Sequence, residues 1–193
     1  MIGVLVSGNG SNLQALIDQG LPVGAVASNR PGVRALERAR AAGVPTAVFE
    51  LGASREERDR AMAGWLEAHG TRLVVCAGYM HLLTTAFLDR FRCRIVNVHP
   101  SLLPAFPGAH TIEDALAAGV ATTGVTVHLV DEGLDTGPVL ARRELPVEPR
   151  ATLEERLHAV EHELLPQVVR ELLPSLAAEA APPPPAGAAR GRR

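Results

Sequence analysis

The sequence predicts an α/β protein: a doubly wound, mostly parallel sheet of about seven strands with helices on both faces. Three observations carry this reading. Short apolar, β-branched runs such as Ile2–Val6, Leu73–Ala77 and Ile95–His99 read as strands buried on both sides. Between them lie segments whose apolar residues recur at helical spacing, and such alternation argues for parallel strands with crossover helices. Toward the end the pattern changes. Thr122–Val130 and Val139–Val147 are joined by a short loop, which predicts antiparallel pairing there.

In chain order, Ile2–Val6 runs into Ser7-Gly8-Asn9-Gly10-Ser11-Asn12, and Leu13, Leu16 and Ile17 then mark a helix capped by Ser11 or Asn12. A glycine loop opening a helix offers bare N–H groups and a positive dipole end, which suits an anion. The dinucleotide pattern G-x-G-x-x-G fails because Leu13 stands at its third glycine, and Ser28-Asn29-Arg30 supplies no ribose-binding acid. With no Lys there is no Walker loop either. The stretch is therefore an ordinary strand–helix turn or a monophosphate site. Val23–Ala27 and Thr46–Phe49 read as strands, Val33–Ala42 and Ser54–His69 as helices, the latter opened by a Ser54-Arg55-Glu56-Glu57 capping box. Leu73–Ala77 leads into the apolar loop Gly78–Leu83, whose Tyr79, Met80, Leu82 and Leu83 are core or a pocket wall. Phe87–Arg90 should be a short helix.

Ile95-Val96-Asn97-Val98-His99 is the stretch that carries chemistry. Alternation puts Asn97 and His99 on one side of the strand, about 7 Å apart, and Pro100 ends the ladder. Asn-x-His pairs on strands are commonly satisfied core groups. Here the stiff loop His99–Gly108, with three prolines, follows at the strand's carboxyl end, where open α/β sheets bind ligands. An amide that donates to an oxyanion and an imidazole that carries a proton suit a tetrahedral, oxygen-charged intermediate.

Thr111-Ile112-Glu113-Asp114 should cap a helix ending near Gly119, and the strand Thr122–Val130 contains His128. The loop Asp131–Gly137 is a solvated turn or part of a site. Thr152-Leu153-Glu154-Glu155 is a second capping box, opening an amphipathic stripe of Leu153, Leu157, Val160, Leu164, Val168 and Leu172 that Pro166 should kink or divide. The expected domain is 1–173, with 174–193 a Pro/Ala/Arg-rich disordered tail.

Composition narrows the class. A net charge of −2 gives no global case for nucleic acid, and all 19 basic residues are Arg. No apolar run approaches the ~20 residues of a membrane span, and the start lacks the basic and apolar regions of a signal peptide. Cys76 and Cys93 show no paired spacing, so they read as reduced thiols of a cytoplasmic protein.

With the glycine loop, NVHPSLLPAFPGAHT and VHLVDEGLDTGPV together, the chain resembles the phosphoribosylglycinamide formyltransferase family over about residues 2–173. The resemblance implies a formyltransferase-type, Rossmann-like fold and formyl transfer from 10-formyltetrahydrofolate to glycinamide ribonucleotide in purine biosynthesis. The folate is a cosubstrate, no metal is required, and the partners are small molecules, with no nucleic acid or membrane. A monomer and a homodimer both stay open. Matched by position, the catalytic residues fall on Asn97, His99 and Asp135, and the nucleotide site on Gly10, Ser11, Asn12 and Glu161. The folate contacts fall on Arg55, Met80, His81, Leu82, Leu83 and Asn97. His81 stands where the family commonly has Arg, and Ala109 where it commonly has Leu.

Four rivals remain in view. A formyltetrahydrofolate deformylase would carry a regulatory domain before the first strand, and a methionyl-tRNA formyltransferase a further C-terminal domain with basic surface. His158-Ala159-Val160-Glu161-His162 matches a zinc-peptidase pattern, H-x-x-E-H, but a further ligand downstream is not evident. A non-catalytic nucleotide-binding module leaves Asn97, His99 and Asp135 unexplained.

Overall fold

The structure, a computed structural model, describes residues 1–52 and 54–178. Seven strands form one sheet: β1 (Ile2–Val6), β2 (Val23–Ser28), β3 (Thr46–Val48), β4 (Leu73–Cys76), β5 (Ile95–His99), β6 (Thr122–Leu129) and β7 (Val139–Pro146). Their spatial order is β3-β2-β1-β4-β5-β6-β7. The pairs from β3 through β5 are parallel, while β5–β6 and β6–β7 are antiparallel, as the short connection between the last two predicts. After β1 the chain builds outward to β2 and β3, then returns to lay β4 on the other side of β1. The crevice at the carboxyl ends of β1 and β4 is therefore the topological switch point.

Helices cover both faces. Ile2, Val4, Val6, Val75, Val96 and Val98 point to one core, closed by α1 (Ser11–Asp18), α2 (Arg34–Ala41), α5 (Thr111–Ala117) and α6 (Leu153–Ala178). Leu5, Val74, Cys76 and Ile95 point to the other, closed by α3 (Arg55–Ala68) and α4 (Thr85–Leu88). Phe87 and Phe91 fill the second core with ring centroids 5.2 Å apart.

Several expectations about helix ends are corrected. Helix α1 is not capped by Ser11 or Asn12; Gly10 is its N-cap in the left-handed region, at φ 75°, with no side-chain cap. The reason is packing, because Gly10 lies against α2, where an added Cβ would come within 2.6 Å of the Ala35 methyl. Ser54 is the N-cap of α3 as expected, its hydroxyl accepting from Glu57 N–H. By contrast, α5 begins after His110 without a side-chain cap. A 3₁₀ turn over Arg150–Thr152 precedes α6, and Thr152 Oγ1 donates to the Pro149 carbonyl instead of capping. The short helix after β4 is α4 followed by a 3₁₀ turn over Asp89–Phe91.

The largest correction is α6. It runs unbroken through Pro166 and Pro174 to Ala178, so residues 174–178 are helix and not tail; 179–193 lie outside the described residues. Tertiary packing overrides the proline penalty. Leu164, Leu165, Val168 and Val169 are buried on both sides of Pro166. The carbonyl that Pro166 leaves without a helical donor, that of His162, accepts from Gln19 Nε2 at 2.9 Å. Among the described residues no helix is long and apolar enough to cross a membrane.

Candidate functional site

A cavity of about 420 Å³ opens at the switch point. Its walls come from the Gly8–Asn12 loop after β1, the Ala77–Leu83 loop after β4, Asn97–Pro100 at the end of β5, and the Val130–Asp135 loop after β6. Asn97, His99 and Asp135 all line it.

The carboxylate is the hub. Asp135 Oδ2 accepts from Gly108 N–H at 2.9 Å and lies 3.5 Å from His99 Nδ1, while Oδ1 accepts from Asn97 Nδ2 at 3.4 Å and lies 3.6 Å from His128 Nε2. Asp135 sits in the left-handed region at φ 54°, which Asp tolerates better than most residues. The loop is pressed against β6 at Gly137, where an added Cβ would fall 1.8 Å from the Leu129 carbonyl oxygen. Burial works against the charged carboxylate. The contacts with His128, the Gly108 amide and the charge of His99 outweigh it, holding the Asp135 carboxyl below its ordinary value.

Hydrogen-bond logic fixes the orientations. His128 Nδ1 is 2.8 Å from the Leu129 carbonyl oxygen, so that nitrogen is a donor, while Nε2 accepts from Asn97 in the neutral ring and faces Asp135 as a donor in the charged one. With the His128 ring neutral, Asn97 Nδ2, 3.2 Å from that Nε2, gives one hydrogen to His128 and the other to Asp135. His99 Nε2, 2.9 Å from the Phe106 carbonyl oxygen, is likewise a donor. Phe106 presents that carbonyl from a left-handed conformation, φ 54°, an uncommon backbone for an aromatic residue.

His128 is the site residue that sequence reasoning passed over. Sequence alone places it on a strand and gives it no partner. The register of β5 and β6 sets it directly opposite Asn97, and cross-strand neighbours of this kind touch. The available signal was alternation, which puts Thr126 and His128 on one face; the facing residue depends on register.

At one end of the cavity stand Gly10, Ser11 and Asn12, with His158 and Glu161 from α6. Asn12 Nδ2 donates to Glu161 Oε2 at 2.8 Å, while its Oδ1 is buried without a partner. His158 and His162 stack with ring centroids 6.3 Å apart. Among the described residues no cluster of three or more His, Cys, Asp or Glu side chains is arranged to hold a metal ion. At the other end, Met80 and Leu82 are 64% and 48% exposed while lining the cavity, so these two are wall and not core. Leu83 is buried and serves both. Cys76 also lines the cavity, but burial pushes its thiol up to about 12, which keeps it protonated, and both cysteines are free.

Comparison with known proteins follows this geometry. The family model described as Formyl transferase matches residues 1–169. The chain belongs to the formyl transferase family. This formyl transferase is 46% identical to the phosphoribosylglycinamide formyltransferase of Mycobacterium tuberculosis, over 82% of this chain and 78% of that one. It is 44% identical to the Drosophila melanogaster trifunctional purine biosynthetic protein adenosine-3, over 83% of this chain but only 13% of that protein's length. The crystal structure of phosphoribosylglycinamide formyltransferase from Streptococcus pneumoniae superposes with TM-score 0.85 at 42% identity, covering 89% of this chain and 98% of that one.

Two of the folate contacts that the resemblance implies, Arg55 and His81, meet at the Gly78–Leu83 loop. Arg55 Nη2 donates to the Leu82 carbonyl at 2.7 Å, which ties α3 to the cavity-lining loop. His81 lines the cavity, beside Tyr79 at 5.9 Å between ring centroids. Desolvation and the charges of Arg58 and Arg55 push its pKa down, so at neutral pH it presents a neutral ring where Arg would bring charge.

Glu161 supplies a stability prediction. Burial raises its pKa despite the Asn12 hydrogen bond. A carboxyl raised on folding leaves the fold most stable below its unfolded value, and stability falls as pH rises through the folded value. Glu161→Gln is therefore expected to unfold at a higher temperature than the parent at pH 7, with the gap closing as the pH falls toward ~4. Thermal unfolding of the ligand-free chains across that window measures it, and a pH-independent gap would remove burial of the charge as its cause.

Proposed function

We propose that this formyl transferase is a cytoplasmic enzyme that moves a formyl group from 10-formyltetrahydrofolate to the amine of glycinamide ribonucleotide in purine biosynthesis. The observation that carries this reading is the convergence of Asn97, His99 and Asp135 on one cavity with the glycine loop at its end. The relatives named for that reaction support the choice of substrates.

The two ends of the cavity divide the labour. N–H groups of Gly10, Ser11 and Asn12 at the start of α1 suit a phosphate, and the Glu161 carboxylate suits ribose hydroxyls. The exposed Met80 and Leu82 with Leu83 suit a flat heterocycle. In between, the amine attacks the formyl carbon: a C–N bond forms and the carbonyl electron pair moves onto oxygen. Asn97 then meets the developing oxyanion. Its hydrogen bond to Asp135, at 3.4 Å the longer of its two, is the one a substrate oxygen displaces, while His128 keeps the amide oriented. A protonated His99 stabilises the same charge; as the oxyanion collapses and the bond from the formyl carbon to the folate nitrogen breaks, the proton given up by the attacking amine is passed to that nitrogen with the help of His99. Asp135 balances that imidazolium.

The test is donor turnover by the purified chain with and without the amine. Consumption that depends on glycinamide ribonucleotide, with one formylated amine per donor consumed, is the expected result. Equal consumption with water alone would make the protein a hydrolase, and a requirement for aminoacyl-tRNA would replace the acceptor. Either outcome rejects the proposal.

A further inference from the structure

The Gly78–Leu83 loop has no regular secondary structure, yet hydrogen bonds hold it and its following residue at three backbone groups. Arg55 Nη2 donates to the Leu82 carbonyl at 2.7 Å, and Thr84 N–H donates to Asp59 Oδ2 at 2.7 Å; both partners belong to α3, outside the sheet. The third anchor comes from inside. Met80 N–H donates to Ser7 Oγ at 3.0 Å.

Ser7 is 4% exposed and directly precedes Gly8, the first residue of the glycine loop. Its single hydroxyl hydrogen goes to Asn29 Oδ1 at 2.6 Å. That leaves a lone pair of Oγ for Met80, with its direction set by Asn29. Asn29, 8% exposed, follows β2, and Met80 follows β4; the two strands flank β1 on opposite sides. One buried hydroxyl therefore spans the switch-point crevice and ties three strand ends together. The neighbouring link between the two segments lies at the start of the loop, where Ala77 N–H donates to the Leu5 carbonyl at 2.9 Å.

We infer that Ser7 is a positioning residue: it sets the height of the Met80–Leu83 wall relative to the glycine loop, and so the fit of the formyl donor. The assignment of that wall to the donor rests on the proposed function. Ser7 touches no substrate itself. Removing the hydroxyl leaves the Met80 N–H and the Asn29 carbonyl oxygen without their partners, and the wall loses its inner anchor while the two anchors on α3 remain.

Steady-state kinetics of three variants test this. Ser7→Ala is expected to raise the KM for 10-formyltetrahydrofolate about tenfold, the size of one neutral hydrogen bond's net contribution. The KM for glycinamide ribonucleotide should move less than about twofold on the same scale. Asn29→Ala, which releases the hydroxyl from the other end without altering the glycine-loop segment, should shift the donor KM in the same direction, and Ser7→Thr should restore it. An unchanged donor KM, or an equal rise in both constants, overturns the inference. A second readout is independent of the reaction: amide exchange at Met80 should be slow in the parent and about tenfold faster in Ser7→Ala, as loss of one such bond requires. If the unaltered chain transfers no formyl group, the functional reading fails while the anchor is still tested by exchange; equal exchange in both chains rejects the anchor itself.

Discussion

Replacing His99 by alanine is expected to lower kcat about 10²–10⁴-fold, the range that a positioned acid–base group supplies. His99 is 4% exposed and donates to the Phe106 carbonyl, which keeps Ser101 Oγ as a second donor at 3.2 Å, so the variant loses one hydrogen bond without orphaning that oxygen. That costs about 0.5–1.5 kcal/mol, too little to unfold an ordinary domain but enough to lower its melting temperature by a few degrees. Asn97→Ala is expected to lose about 10²–10³ in kcat, as when one oxyanion donor is removed. It should be the milder structural change, because Asn97 is only half-buried and His128 and Asp135 keep other partners. The two variants should not add: both groups act on one oxygen through a shared carboxylate, and groups that work as a unit are strongly non-additive. Kinetics paired with thermal unfolding check this. A well-folded variant within tenfold of the parent kcat would remove that residue from the chemistry.

Gly10→Ala is the second large effect expected. A Cβ there adopts a left-handed backbone and meets Ala35 Cβ at 2.6 Å and Ala35 Cα at 2.7 Å. The conformational cost and the overpacking together come to about 2–5 kcal/mol. Relief requires α2 and the glycine loop to separate, which breaks the Ala35 N–H bond to the Gly8 carbonyl and loosens the Arg38 contact with the Asn9 carbonyl. The phosphate-bearing substrate should therefore lose affinity along with stability. Gly8→Ala is the control, since an added Cβ at Gly8 meets nothing within 4 Å and its φ is not left-handed. Comparable melting temperatures for the two variants would show that contact with α2 is unimportant.

Much of the fold was legible because buried strands and amphipathic helices differ in period. Ile2–Val6, Leu73–Cys76 and Ile95–His99 announce themselves by composition, and the side shared by Asn97 and His99 follows from alternation alone. What stayed hidden depends on pairs of segments. His128 is opposite Asn97 only by register, a relation that neither strand carries by itself. Asp135 reached the site through family resemblance, because a left-handed turn pinned at Gly137 leaves no periodic trace. Helix α6 passes Pro166 because Gln19, more than a hundred residues earlier, supplies the missing donor.

The Phe106 carbonyl has a further consequence for proton traffic. An oxygen that can only receive holds a hydrogen on the edge of the His99 ring that faces it. The opposite edge is the doorway left for a travelling proton, and Asp135 stands 3.5 Å from it.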